Sequence, residues 1–254
     1  MNGAFLAFLA FVIWGLFPLY FRRLSAVPAS ELVAHRIVWS CALLTTVFTL
    51  KRHWMGVYAS LRSWRVLGFH VLSAACIGTN WLLYVWAVNH GQVLASSLGY
   101  FLNPLLSIVL GVLFFKERLS WMQKIAVCIA AAGIFSMAIM EGIMPWLPLA
   151  ISLSFGGYGI MKKLTPVPSS HGLWLETLLL AIPGVAGLWL AGQGGDSGWS
   201  RADTWHRTLL GFTGVVTVVP TLLFALASTR IPLSTLGFLQ FITPTLSFLL
   251  GVFL

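Results

Sequence analysis

Charged residues are scarce in this sequence. They make up 8% of its 254 residues, whereas about a quarter of an ordinary soluble domain is charged. Hydrophobic residues make up 59%, and apolar runs of about 20 residues recur along the whole chain, each long enough to cross a bilayer. Because backbone polar groups in lipid must be bonded within the segment, such runs favour helices over the alternating strands of a barrel. The composition therefore predicts a polytopic, all-α membrane helix bundle.

Cysteines and catalytic motifs are also scarce or missing. Cys41, Cys76 and Cys128 all fall inside apolar runs and form no C-x-x-C pair, so neither a disulfide framework nor a metal site is expected. The sequence has no G-x-S-x-G, no H-E-x-x-H and no Walker loop. None of its loops is long enough to hold a nucleotide-binding domain. We therefore expect no enzyme activity and no bound cofactor.

The apolar runs divide into nine predicted spans, and the basic residues lie mostly between them. The formal charge of +9 therefore reflects the positive-inside rule rather than a nucleic-acid partner. With the N-terminus in the cytoplasm, ten Lys or Arg residues, Lys162 among them, fall in inner loops and four in outer loops. We therefore expect a cytoplasmic N-terminus. The spans are residues 3–21, 29–50, 66–88, 91–115, 119–140, 144–161, 171–192, 207–228 and 231–254.

The chain contains an internal repeat. A shift of 140 residues aligns "RRLSAVPAS" (22–30) with "KKLTPVPSS" (162–170) without a gap. The same shift aligns "FLNPLLSIVLGV" (101–112) with "FITPTLSFLLGV" (241–252). A constant offset in separate segments indicates a duplication.

The duplication predicts two repeats of opposite orientation. Residues 1–140 hold five predicted spans, and residues 141–254 form a second, incomplete repeat of four, because a tenth span near 256–280 would lie beyond Leu254. Since five is odd, the second repeat enters the membrane from the opposite face. Inverted repeats of this kind place a substrate site near the membrane midplane and expose it alternately to each side.

Two charged residues are predicted to lie well inside spans. Arg36 and Glu176 are related by the 140-residue shift, and burying either alone costs on the order of 3 kcal/mol. The pair could line a substrate pathway, form a structural ion pair, or reach toward the interface. His35 and Glu176 are candidates for proton coupling, although His35 could equally be a hydrogen-bonded neighbour.

Larger polar residues in the other spans are candidates for the same pathway. Tyr100 and Asn103 share one helical face of the fourth span, and Gln240 lies at the matching face of the ninth. Asn80 and Tyr84 share a face of the third span. Cavity lining is the functional interpretation of these residues, and close helix packing is the alternative for the small residues beside them.

The stretches "ELVAHRIVWS" and "NWLLYVWAVNHGQVLASSLGYFLNPLLSIVLGVLFFKERLS", with the duplicated halves, resemble the RarD subgroup of the EamA-type permeases in the drug/metabolite transporter superfamily. The resemblance covers the whole chain. It implies a multi-pass protein of the bacterial inner membrane with two inverted repeats. The subgroup's usual label is a chloramphenicol-sensitivity or resistance permease.

These observations predict a secondary transporter of a small organic solute, such as a metabolite, an amino acid or a drug. Its partners would be that solute and the lipid bilayer, and its oligomeric state stays open. The alternative is a non-transporting interaction or sensor protein built on a transporter scaffold. Substrate-dependent flux distinguishes the two.

Overall fold

The computed structural model describes residues 2–52, 54–142, 145–193 and 197–253, and the regular structure of these residues is helical throughout. A short 3-10 helix, Arg22–Leu24, follows the second helix. The α-helices are α1 (Gly3–Gly15), α2 (Phe17–Phe21), α3 (Ala29–Leu50), α4 (Trp54–Leu61), α5 (Trp64–Asn89), α6 (Val93–Phe115), α7 (Trp121–Met140), α8 (Trp146–Leu164), α9 (Ser169–Gln193), α10 (Gly198–Arg201), α11 (Thr204–Ser228), α12 (Leu233–Gln240) and α13 (Ile242–Phe253).

Eight helical segments in the described part of the chain are long and apolar enough to cross a membrane. They confirm the predicted membrane helix bundle. The sixth predicted span, 144–161, corresponds to α8, which is helical but is not one of these eight, so the count of nine spans stays a prediction. Its sequence includes Lys162, Lys163 and several glycines, which lower its hydropathy. Residues 144 and 254, at the ends of two predicted spans, lie outside the described residues.

Two of the predicted spans are interrupted near a proline. The first is divided at Leu16, two residues before Pro18, and the ninth is divided at Phe241, three residues before Pro244. Proline has no N–H to donate to the preceding turn, so a break at these places is expected. In contrast, Pro104 lies inside the continuous helix α6.

The main helix–helix interfaces join the two predicted repeats. Helices α1, α3, α5 and α6 pack chiefly against α8, α9, α11 and α12, whereas α7 lies against α6 and has no buried residue. Close backbone approach is part of this packing. A Cβ on Gly214 of α11 would lie 2.6 Å from the backbone of Trp39 on α3. The core therefore lies between the halves, and residues from both can surround one central site.

Candidate functional site

A small cavity lies at the centre of the bundle, where α3, α5, α8, α9 and α11 meet. The centre of a water molecule can occupy about 20 Å³ of it, roughly enough for one water. Several lining residues are related by the 140-residue shift. These pairs are Ser40 with Leu180, Ile77 with Thr217, and Trp81 with Thr221. Equivalent positions of the two halves therefore face the same space.

Glu176 lies on one side of this cavity with its carboxylate neutralised. The residue is 1% exposed and lines the cavity from α9. The Lys162 ammonium, at the end of α8, lies 2.8 Å from Oε1 and 2.7 Å from Oε2 of this carboxylate. A charge pair excluded from solvent at this distance interacts much more strongly than an exposed one. Both charges are thereby compensated inside the protein.

His70 and Tyr158 complete this group, which we call the carboxylate cluster together with Glu176 and Lys162. His70 is fully buried, and its Nδ1 lies 3.3 Å from Glu176 Oε1. The Tyr158 ring lies 5.3 Å from the Lys162 ammonium, within the range of a cation–π interaction. Gly172 leaves room for the imidazole, because a Cβ there would lie 2.5 Å from His70 Cε1.

Arg36 lies in a different environment, enclosed mainly by aromatic rings. Its Nε donates a hydrogen bond to Thr217 Oγ1 at 3.1 Å. The guanidinium carbon lies 5.6 Å, 5.2 Å and 5.3 Å from the ring centroids of Phe17, Phe21 and Trp81. Such contacts attract a cation through the ring quadrupole but leave its charge formally uncompensated.

Two tyrosines complete this second group. Tyr84 and Tyr100 lie close enough to Arg36 for electrostatic interaction, and their rings meet edge to face at a centroid distance of 5.9 Å. We call Arg36, Thr217 and the five aromatic residues the arginine cluster. Three of the residues predicted for the pathway are therefore brought together here.

Arg36 and Glu176 do not form an ion pair, which corrects one of the predicted arrangements. Glu176 is held by Lys162 instead, and Arg36 has no carboxylate within 4 Å among the described residues. Both residues are nevertheless close to the central cavity. Glu176 lines the cavity directly, and Arg36 contacts it through Thr217 and Trp81, which both line it.

Other residues predicted for the pathway lie in helix interfaces. Asn80 Nδ2 donates to the backbone carbonyl of Ile151 at 2.8 Å, which joins α5 to α8. Gln240 Oε1 accepts a hydrogen bond from Ser107 Oγ at 3.2 Å, which joins α6 to α12. Asn103 is 2% exposed, and its Oδ1 has no partner among the described residues. The hydrogen bonds of Asn80 and Gln240 therefore hold helices of opposite halves together.

His35 belongs to neither cluster although it is adjacent to Arg36 in sequence. Its ring stacks on Trp199 at a centroid distance of 5.5 Å, and the residue is 5% exposed. Nearby, Glu31 Oε2 accepts a hydrogen bond from the Gly198 backbone N–H at 2.7 Å. These contacts join the start of α3 to the short helix α10 at one end of the bundle.

A second carboxylate joins the halves at the opposite end. Glu117 Oε1 and Oε2 accept hydrogen bonds of 2.7 Å from the backbone N–H groups of Leu233 and Ser234, at the start of α12. The Lys163 ammonium lies 3.5 Å from Oε1. Burial raises the pKa of the Glu117 carboxyl, but these hydrogen bonds and Lys163 outweigh it and hold the pKa below 4.5.

Residues 1–139 match the EamA-like transporter family. The chain is 42% identical over 255 residues to an uncharacterized transporter, YojE, of Bacillus subtilis (strain 168), covering 99% of this chain and 85% of that protein. It is 41% identical to the protein RarD of Streptomyces exfoliatus, covering 99% of this chain and 80% of the relative. The RarD protein of Escherichia coli (strain K12) is 38% identical, with 99% and 85% covered.

The chain belongs to the EamA-like transporter family. Relatives named RarD along nearly the whole chain confirm the resemblance that the sequence motifs indicated. As a member of this family the protein is a transporter of the membrane.

Two residues of this EamA-family site were missed by sequence reasoning. Lys162 was assigned to an inner loop, whereas it lies inside α8 and is 4% exposed. His70 received no role. A signal was available for both, because a carboxylate deep in a span requires a cation or a proton donor near it.

Proposed function

We propose that this chain is a secondary transporter that moves a small organic solute by alternating access between its two halves. The observation that carries the proposal is the central cavity, because equivalent positions of both halves line it. Two nearly equivalent halves that enclose one site can exchange conformations at little energetic cost, which alternating access requires. In this proposal the protein lies in the cell inner membrane with its N-terminus in the cytoplasm.

The small cavity corresponds to a closed state with a contact between the halves at each end. Glu31 with Gly198 closes the end assigned to the outside, and Glu117 with the start of α12 closes the cytoplasmic end. Each contact uses a carboxylate that accepts backbone N–H groups from the other half. Loss of one contact would let the cavity open toward that side only.

The carboxylate cluster supplies the groups that a coupling proton would need. Glu176, Lys162 and His70 are all buried, and Glu176 Oε1 lies 2.8 Å from the Lys162 ammonium and 3.3 Å from His70 Nδ1. Protonation of Glu176 would release Lys162 and change the charge beside the cavity. His35, the other residue predicted for this role, stacks on Trp199 instead, so the proposal assigns proton coupling to Glu176.

The experiment that tests alternating access is chemical modification from each side of the membrane. Thr221→Cys places a thiol in the cavity wall, in a chain where Cys41, Cys76 and Cys128 have been replaced by alanine. We expect a membrane-impermeant thiol reagent to modify this cysteine from either side in sealed vesicles. Modification from one side only, or from neither, would contradict the proposal.

Variants of the two end contacts provide matched controls. Glu31→Gln should increase modification from the outside, and Glu117→Gln should increase it from the cytoplasmic side, because each weakens one closure. Solute flux into proteoliposomes then separates a transporter from a sensor. A correctly folded protein that shows two-sided modification without flux for any metabolite tested would favour the sensor function.

A further inference from the structure

We propose that Arg36 binds the carboxylate group of the transported solute, so that the substrates of this chain are organic monocarboxylates. The inference rests on the transport function proposed above and names its substrate class. It follows from the hydrogen-bonding capacity, the charge and the surroundings of the arginine cluster.

The guanidinium of Arg36 has unused hydrogen-bond donors. Its Nε donates to Thr217, but the N–H groups on its two terminal nitrogens have no acceptor among the described residues. Arg36 is partly exposed, and neither of its terminal nitrogens is fully buried. Both therefore reach space that water can enter. A cation in the interior of a membrane protein is costly unless an anion or polar cavity compensates it. The free donors and the cost together favour an anion at this place.

The tyrosine hydroxyls of the cluster are also available. Tyr84 and Tyr100 are partly exposed, and neither hydroxyl has a hydrogen-bond partner among the described residues. Each phenol can donate one O–H to an anionic oxygen. The rings of Phe17, Phe21 and Trp81 surround the same guanidinium and offer apolar surface to the rest of the solute.

The balance of charge selects a monoanion. Glu176 is neutralised by Lys162, so Arg36 provides the one uncompensated charge that the described residues place beside the cavity. A planar guanidinium matches the two oxygens of a carboxylate in a bidentate arrangement. A phosphate dianion would bring excess negative charge. Among the described residues beside the cavity, no free carboxylate is available to the ammonium group of a zwitterion.

The experiment compares carboxylates with their neutral amides. Purified full-length protein in detergent is titrated with acetate, hexanoate and benzoate, and with acetamide, hexanamide and benzamide, at neutral pH, with tryptophan fluorescence as the readout. We expect at least one carboxylate to bind about tenfold or more tightly than its amide, because hydrogen bonds to a charged group are lost in the amide. Equal binding within all pairs, or no binding of any carboxylate, would overturn the proposal.

Variants assign the preference to Arg36. Arg36→Gln should reduce the ratio of carboxylate to amide affinity to about one, and Arg36→Lys should retain part of it, since it keeps the charge without the planar fork. Arg207→Gln is the matched control, because Arg207 also lies over a tryptophan, Trp199, but outside the cavity, and it should keep the wild-type ratio. A ratio that survives Arg36→Gln would overturn the assignment.

Two further readouts separate this inference from the transport function. Phenylphosphonate that binds more tightly than benzoate would overturn the carboxylate assignment and indicate a phosphate group. Carboxylate binding at Arg36 without flux in proteoliposomes would refute transport but leave the binding site in place. Flux of neutral solutes with no preference for carboxylates would support transport and refute the inference.

Discussion

Arg36 and Glu176 occupy equivalent positions in the two repeats, yet their environments differ in one decisive respect. Glu176 is enclosed with Lys162 and His70, so its charge is compensated within the protein. Arg36 has a threonine hydroxyl and aromatic rings as neighbours, so its charge is not. Each half thus places one charge near the cavity, and the neighbouring side chains compensate the charge of Glu176 but not that of Arg36.

The largest expected effect comes from removal of the compensated charge. Glu176→Gln leaves the Lys162 ammonium buried without a carboxylate, which should lower the free energy of unfolding by about 3–5 kcal/mol. Unfolding by sodium dodecyl sulfate in mixed micelles measures it. Asp203→Asn is the control, because Asp203 is an exposed helix N-cap and asparagine caps nearly as well. A loss no larger than that of the control would contradict the structural role of Glu176.

The next effect tests the close contact that holds Thr217 beside Arg36. Gly214→Ala would place a Cβ 2.6 Å from the Trp39 backbone and force α3 and α11 apart, at a cost of about 1–3 kcal/mol. The carboxylate preference of Arg36 should weaken with it. Gly68→Ala is the matched control, since a Cβ there meets nothing within 4 Å, and it should leave both quantities unchanged or raise stability slightly.

A smaller effect, dependent on pH, is expected at the contact between Glu117 and the start of α12, which we propose closes the cytoplasmic end. Because the pKa of Glu117 is held below 4.5 in the folded protein, its contribution is fully present above pH 4.5 and is lost as the pH falls through the folded-state pKa. Glu117→Gln should therefore lower stability by about 1–2 kcal/mol at neutral pH. The difference from wild type should vanish in acid. A difference that is constant with pH would show that the carboxylate charge is unimportant.

The smallest effect on stability is expected at the uncompensated charge. Arg36→Gln removes a costly buried cation together with its ring contacts and one hydrogen bond, so the changes should offset each other to within about 1 kcal/mol. Its effect should fall on ligand binding instead. A loss of stability as large as that of Glu176→Gln would mean that the two positions are equally structural.

Much of this arrangement was predictable from local pattern. The apolar runs predicted the helices, and the 140-residue repeat identified Arg36 and Glu176 as equivalent charges inside spans. Helix α3 begins and ends where the second span was predicted, because Pro28 and the polar residues after Leu50 delimit the apolar run.

The partners of the two charges were not predictable in the same way. Lys162 lies 14 residues before Glu176, on a different helix, and the turn between α8 and α9 brings them together. His70 and Glu176 are 106 residues apart. Which side chains meet across helices of opposite halves depends on helix rotation and tilt, which hydropathy does not encode. For the same reason the hydrogen bonds that Asn80 and Gln240 form between helices were not predictable, and their part in the pathway stays a prediction.

The most direct test of the account is a pair of double-mutant cycles at Glu176, one with Lys162→Gln and one with Arg36→Gln. Because Lys162 is the partner of Glu176, the first cycle should give a coupling free energy of about 2–3 kcal/mol. The second should give less than about 0.5 kcal/mol, because Arg36 and Glu176 make no direct contact. Strong coupling between Glu176 and Arg36, with no coupling between Glu176 and Lys162, would contradict the account.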